Sequence, residues 1–291
     1  MTEYRGRFAP TPSGPLHFGS LFAAVVSYLD AKANRGKWLL RIDDLDPPRE
    51  QPGATAAILR ALEQHGLTWD DTETYQSQHR SRYLSFLDHL IQNQRVYWCT
   101  CSRKQLAGHQ TYPGRCRHHR TPRPNSAIRF QVESTSDRFD DLFQGTQSAS
   151  PQADYGDVVL QRRDRLFAYQ LAVVADDSDL GITHVIRGID LMDSTFWQRE
   201  LYRAIDAKPP QYGHFAVLHA QGSNQKLSKQ NLAPAIDPTR AIDNLHRVFQ
   251  QLGITVVRST PAQMLLEACS LWQRALLSQK QILHVPVFEL D

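Results

Sequence analysis

Long hydrophobic runs are missing from this 291-residue chain: the apolar run at 21–26 is far too short to cross a bilayer. No charged-then-apolar leader pattern opens the sequence, so a cytoplasmic protein without a membrane partner is expected. Strong net charge is also lacking; a formal +3 says little about a polyanionic partner. Cysteine is scarce, with 4 residues, which excludes a disulfide scaffold at this length. Internal repeats and low-complexity stretches are absent. Most telling is a local absence: between Asp88 and Glu133 there is no acidic residue, while Arg95, Arg103, Lys104, Arg115, Arg117, Arg120, Arg123 and Arg129 all fall there. So one-sided a segment faces a polyanion or forms a solvated basic loop.

What is present begins with an α/β rhythm. "RGRFAPTP" reads as a strand ending in a proline-rich turn, and 16–34 as a helix through Leu21, Val25, Tyr28 and Leu29. "KWLLRID" is a second strand with Asp43, Asp44 and Asp46 at its exit. Helices follow at "ATAAILRALEQHG", with Gly66 as C-cap, and at "RSRYLSFLDHLIQNQ". That order argues a Rossmann-type parallel sheet, whose ligands sit beyond the C-terminal ends of the strands. From about 96 the texture turns to cysteine, arginine, proline and glycine, so residues 96–156 read as a subdomain inserted between core halves 1–95 and 157–236. The stretch 157–191 reads as strand-rich, "QYGHFAVLHA" as one further strand, and 237–291 as a C-terminal helical segment.

Two motifs carry chemistry. "HFGS" opens the first helix, where unpaired N–H groups and the positive end of the macrodipole suit phosphate. "KLSKQ" lies in a polar loop after a strand. Each alone recurs by chance; together, in this order and setting, they are specific. The chain here resembles a class I aminoacyl-tRNA synthetase, His17-Phe18-Gly19-Ser20 being similar to that class's HIGH signature and Lys226-Leu227-Ser228-Lys229-Gln230 to KMSKS. Ser20 stands where HIGH has its last histidine, and Gln230 where KMSKS has its final serine. "RFAPTPSGPLHFGS", "LLRIDDLDPPRE", "LFAYQLAVVADD" and "VIRGIDL" look like the glutamyl branch, a resemblance reaching to about Pro234. Under sixty residues follow, too few for an anticodon-binding domain. That layout is similar to the glutamyl-Q tRNA(Asp) synthetase family.

The resemblance implies ATP-dependent activation of L-glutamate, with Mg2+, and its transfer to the queuosine base in the anticodon of tRNA(Asp), by a monomer. Its rivals are a minimal enzyme charging a tRNA 3′ end and a non-catalytic tRNA-binding paralogue. By resemblance His17, Gly19, Ser20, Lys226, Ser228 and Lys229 serve ATP, with His17 and Lys229 catalytic. Arg7, Ala9, Thr11, Asp43, Tyr169 and Arg187 would hold glutamate: the two arginines on its carboxylates, Asp43 on its ammonium, where the family often has Glu.

Cys99, Cys101 and Cys116 offer three thiolates to a zinc that wants four ligands. The residues themselves nominate His118 or His119 as the fourth; the resemblance points instead to Tyr112. Such a site would pin a loop-rich insertion with little apolar core of its own. Arg115, Arg117 and Arg120 beside it are candidates for phosphates of the anticodon stem-loop.

Overall fold

The computed structural model describes residues 3–220 and 234–285. Strand β1 (Arg5–Phe8) feeds helix α1 (Phe18–Ala33), whose residues Leu21, Phe22, Val25, Val26 and Leu29 are all buried. The chain returns as β2 (Lys37–Ile42) and, after α2 (Ala54–Gln64), as β3 (Thr74–Tyr75). These three strands pair in parallel in the order β1-β2-β3. Gly66, two residues past α2, has φ +70°, a left-handed turn that glycine enters without strain.

Helix α3 (Arg80–Gln92) leads out of this half into β4 (Val96–Cys99), the one-turn helix α4 (Arg103–Leu106) and β5 (Ala127–Phe130). A hairpin of β6 (Asp137–Asp141) and β7 (Gly145–Ala149), a second short helix α5 (Pro151–Asp154) and β8 (Val158–Gln161) follow. β4, β5 and β8 form their own antiparallel sheet, apart from the parallel strands. Polarity then reverts: α6 (Tyr169–Asp179), β9 (His184–Gly188), α7 (Met192–Ala204) and β10 (Gln211–Phe215) restore the crossover pattern, with β9 and β10 parallel. The lead-in to β9 lies against β1, the Thr183 N–H donating to the Arg5 carbonyl at 2.9 Å. One apolar cluster spans α1, β2, α2 and the C-terminal helices; a second fills the space between α3, α6 and the antiparallel sheet.

Three expectations are corrected. Tyr169–Asp179 is a helix within a stretch that reads as strand-rich; every residue from Gln170 to Asp177 is buried, so its apolar run carries no face from which to read a period. "QYGHFAVLHA" is two strands, β10 and β11 (Val217–Ala220). The last segment holds α8 (Ala241–Leu252) and α9 (Pro261–Leu271) as expected, but also β12 (Ile282–Val285), parallel to β11. Four residues are too few for periodicity, and β12 is fixed instead by its partner strand and by Gln279, whose N–H reaches the Phe143 carbonyl at 2.8 Å. No helix among the described residues is long and apolar enough to cross a membrane.

Candidate active site and metal centre

His17 caps α1: its Nδ1 accepts the Ser20 N–H at 3.2 Å, and the Ser20 hydroxyl lies 2.9 Å from its Nε2. Gly19 is in the first turn of α1, while Ala9 and Thr11 line the half-buried loop that enters it. Lys226, Ser228, Lys229 and Gln230 lie outside the described residues. The chain just beyond them is fixed, however: Ala235 bridges to His17, and the Ile236 N–H donates to the Leu16 carbonyl at 2.9 Å. Residues 235 and 236 are thus tied to the "HFGS" helix start.

Beside this helix start, at the ends of β1 and β2, sits a buried charge network. Arg7 gives Nε and Nη2 to Asp177, each at 3.2 Å from its nearest carboxylate oxygen. Arg41 gives Nη1 to Asp177 at 2.5 Å and Nε to Asp43 at 2.7 Å. Burial pushes both guanidiniums down, but the facing carboxylates outweigh it and lift both above the ordinary arginine value. Desolvation pushes Asp177 up, and the two arginines still hold it below the usual carboxylate range. For Asp43 burial wins over Arg41 and the carboxyl is raised. Tyr169 opens α6 with its ring 39% exposed, at the solvent edge rather than in the core.

Arg187, on β9, differs from both other arginines. It is 5% exposed, and no acidic side chain pairs with it among the described residues. Its Nε donates to His214 Nε2 at 3.1 Å, and its Nη2 to the Thr195 hydroxyl at 2.7 Å and the Leu191 carbonyl at 3.3 Å. The Tyr212 ring centroid is 5.2 Å from the guanidinium carbon. Its Nη1 is buried and has no hydrogen-bond partner among the described residues. A cleft of about 480 Å³ lined by Ile189, Asp190, Met192, Val217 and His219 opens past the C-terminal end of β9, where ligands of parallel sheets collect.

In the insertion, the Sγ atoms of Cys99, Cys101 and Cys116 all lie within 4.8 Å of one another. The Tyr112 hydroxyl is 3.5 Å from Cys99 Sγ and 3.7 Å from Cys101 Sγ, and accepts the Cys116 N–H at 2.9 Å. A tetrahedral zinc with Zn–S of roughly 2.3 Å spaces its sulfurs about 3.7 Å apart; Cys101 and Cys116 stand 3.5 Å apart. Three sulfurs and one phenol oxygen converge, so the donor set fits a four-coordinate ion. Burial raises the Cys116 thiol, but hydrogen bonding, first from Tyr112, brings it down to about 7. His119 is engaged elsewhere, its Nδ1 at 3.2 Å from the Trp98 carbonyl, and His118 meets it edge to face.

The nearby arginines divide. Arg115 is exposed and makes only long contacts, to the Gln105 carbonyl at 3.3 Å and to His109 Nε2 at 3.5 Å. Arg117 is committed to Asp157 in a two-pronged pair at 2.7 and 2.8 Å. Arg120 is exposed but donates to the Gln94 and Val96 carbonyls at 3.0 and 3.1 Å.

Reasoning on the sequence missed Arg41, Asp177, Asp141, Thr195 and His214. Arg41 had a usable signal, a cation inside the otherwise apolar strand "KWLLRID"; such a residue must meet an acid.

A parallel-sheet core with a histidine-capped helix start is in keeping with a class I synthetase, and the model of that family, the class I tRNA synthetases (E and Q), catalytic domain, matches residues 3–255. The chain belongs to this family. Among curated relatives, the glutamyl-Q tRNA(Asp) synthetase of Pseudomonas putida (strain W619) is 44% identical over 284 residues, 96% of each chain. That of Vibrio cholerae serotype O1 is 46% identical over 277 residues, 93% of this chain and 91% of its own. Of solved structures, the glutamate tRNA ligase of Elizabethkingia meningosepticum superposes with TM-score 0.80 at 23% identity, over 97% of this chain and 67% of that one. The glutamate-tRNA synthetase of Elizabethkingia anophelis gives 0.81 at 23%, over 98% and 68%. At that identity the two share its fold.

Proposed function

We propose that this chain is a ligase that activates L-glutamate with ATP as glutamyl-adenylate and transfers the glutamyl group to the queuosine base in the anticodon of tRNA(Asp). The observation that carries the reading is Arg187: a buried guanidinium with no acidic partner among the described residues and an open Nη1 donor. A buried cation without a counter-ion is costly, and a substrate carboxylate supplies the missing charge. The relatives' name supplies the acceptor.

In this reading Arg7 and Arg187 hold the carboxylates, Asp43 the ammonium, and Tyr169, Ala9 and Thr11 the rest of the amino acid. His17, Gly19 and Ser20 take the triphosphate at the start of α1, and Lys226, Ser228 and Lys229 are its further ligands. Adenylate formation asks the protein for alignment and charge rather than covalent help. His17 would donate a hydrogen bond and Lys229 bring positive charge to the α-phosphate and the departing pyrophosphate, whose charge Mg2+ would help neutralise. Cys99, Cys101, Cys116 and Tyr112 would hold one structural zinc in the inserted subdomain, residues 96–156. That subdomain, extended by β8, which pairs with β5, would meet the anticodon stem-loop with Arg115 on its surface, while 1–95 and the elements from α6 to β10 form the catalytic core and α8 and α9 buttress it. The protein works as a monomer in the cytoplasm.

The test uses labelled glutamate, ATP and Mg2+ with tRNA(Asp) trimmed of its 3′ terminus, with and without queuosine. Label on the trimmed, queuosine-containing RNA alone is expected. Label confined to intact 3′ ends would make this a shortened conventional synthetase and overturn the acceptor.

A further inference from the structure

The core contains a polar pair that the reaction as described does not use. His214, on β10, is fully buried, and its Nδ1 lies 2.6 Å from Asp141 Oδ2. Asp141 is fixed in turn: its Oδ1 accepts the backbone N–H groups of His214, Phe143 and Gln144, each at 3.0 Å. A carboxylate so placed makes Nδ1 the protonated nitrogen and leaves Nε2 a lone pair. That lone pair faces Arg187 Nε at 3.1 Å, with the Thr195 hydroxyl 3.0 Å away. Burial pushes the imidazolium down and outweighs the pull of Asp141, and an Nε2 that accepts from Arg187 Nε carries no proton, so the ring is neutral. Gly213 keeps the strand close here: a Cβ on it would lie 2.7 Å from the Phe143 ring.

The contrast with the neighbouring arginines gives this pair its meaning. Arg7 and Arg41 touch carboxylates directly, so each is neutralised where it stands. Arg187 is oriented just as firmly, but by a neutral imidazole, a hydroxyl and a carbonyl. The acid that orients the imidazole is one ring away from the guanidinium. We propose that His214, oriented by Asp141, is the positioning residue that aims Arg187 while leaving its charge unspent, and so selects an amino acid with an anionic side chain over its neutral amide. This rests on Arg187 being a carboxylate ligand. A direct Arg187–Asp pair would fix the side chain equally well and discard the discrimination.

The experiment measures KM and kcat for glutamate, for glutamine and for ATP in tRNA-supported ATP–pyrophosphate exchange. Losing a hydrogen bond that orients a charged group is expected to raise the glutamate KM about tenfold in His214→Leu, with the ATP KM unchanged. His214→Gln, whose amide oxygen can accept from Arg187 Nε, should restore most of it. His214→Asp should worsen glutamate further and narrow its advantage over glutamine, because the new carboxylate neutralises Arg187. A folded His214→Leu with unchanged glutamate KM overturns the proposal. If that variant does not fold, 15N-histidine NMR on the unaltered protein decides: Nδ1 protonated and Nε2 bare supports it, and a protonated Nε2 overturns it. An Arg187→Ala variant that keeps its glutamate KM would instead overturn the reading beneath.

Discussion

Asp30 anchors the C-terminal segment, and its removal is the sharpest test of how the chain closes on itself. The side chain is completely buried on α1. Its Oδ2 accepts the Tyr4 hydroxyl at 2.6 Å and Arg274 Nη2 at 3.0 Å; its Oδ1 accepts Arg274 Nε at 2.8 Å and Trp272 Nε1 at 3.1 Å. Asp30→Ala orphans two donors on buried side chains, since Tyr4 is 7% and Trp272 8% exposed. Each unsatisfied buried donor costs roughly 1–3 kcal/mol. The Arg274 side chain is 30% exposed, so water takes over much of its pairing; a half-wet ion pair adds no more than about 1 kcal/mol. Together these place the loss at about 2–7 kcal/mol. Arg274→Ala alone should lose far less, and leave Tyr4 and Trp272 paired. Urea unfolding followed by tryptophan fluorescence, at constant m, gives both numbers. An Asp30→Ala protein within about 1 kcal/mol of the parent would mean that these donors find other partners, and the reasoning from buried unsatisfied groups would fail here.

Three further outcomes follow from the same geometry. Chelation should strip one zinc per chain and loosen the insertion, seen as a fall in its melting temperature, and Tyr112→Phe should weaken zinc binding about tenfold or more; a fully folded insertion that never held metal would refute the site. His65 is fully buried, with Nδ1 2.6 Å from the Ala61 carbonyl and Nε2 3.1 Å from Asn244 Nδ2, and burial holds its pKa down. The unfolded chain therefore takes up the proton first, so stability is full above about pH 6.5 and falls below it, by at most about 1.4 kcal/mol per pH unit for this group. His65→Gln should flatten that fall between pH 7.5 and 5.5 in urea titrations, and an unchanged slope would refute it. Arg115→Glu should weaken tRNA binding and reduce its salt dependence by about one unit of slope, whereas Arg117→Glu should first damage the fold, because Arg117 neutralises the buried Asp157; unchanged RNA affinity in Arg115→Glu would remove that surface from the interface.

How much of this was legible before the structure depends on sequence distance. The first half of the core was, because β1, α1, β2, α2 and α3 each carry their own signal: a capping histidine before Leu21, an apolar run ended by Asp43, and Gly66 at a left-handed turn. The cysteine cluster was too, since its thiols crowd into one short segment. The charge network was not. Arg41 and Asp177 are 136 residues apart, and His214 and Asp141 are 73 apart. Nothing local to "YGHF" or "DLFQ" pairs one with the other; only the crossover that sets β10 beside the β6–β7 hairpin does so. Helix α6 was obscured for a different reason, being buried on every side from Gln170 to Asp177.

If Arg7, Asp43 and Arg187 hold glutamate as proposed, the distribution of charge also explains why the amino-acid end of that site sits deep rather than at the surface. Arg7 and Arg41 share Asp177, and Arg41 reaches Asp43 and, at 3.9 Å, Asp176 as well, so both guanidiniums are matched by carboxylates before any ligand arrives. Balance of this kind makes a rigid floor, because moving any member strands a partner in a low dielectric. Arg187 sits outside that balance. Its own supports are uncharged, its Nη1 is open, and the Tyr212 ring beneath it offers a polarizable face that tolerates the charge without cancelling it. A single uncompensated cation next to a neutral, rigid network discriminates by charge in a way that a surface arginine cannot, since water there would screen a carboxylate and an amide toward the same affinity. Swapping the two arrangements shows the dependence. Placing Asp177's partner role on Arg187 would leave Arg7 and Arg41 unbalanced, and the floor and the selectivity would be lost together.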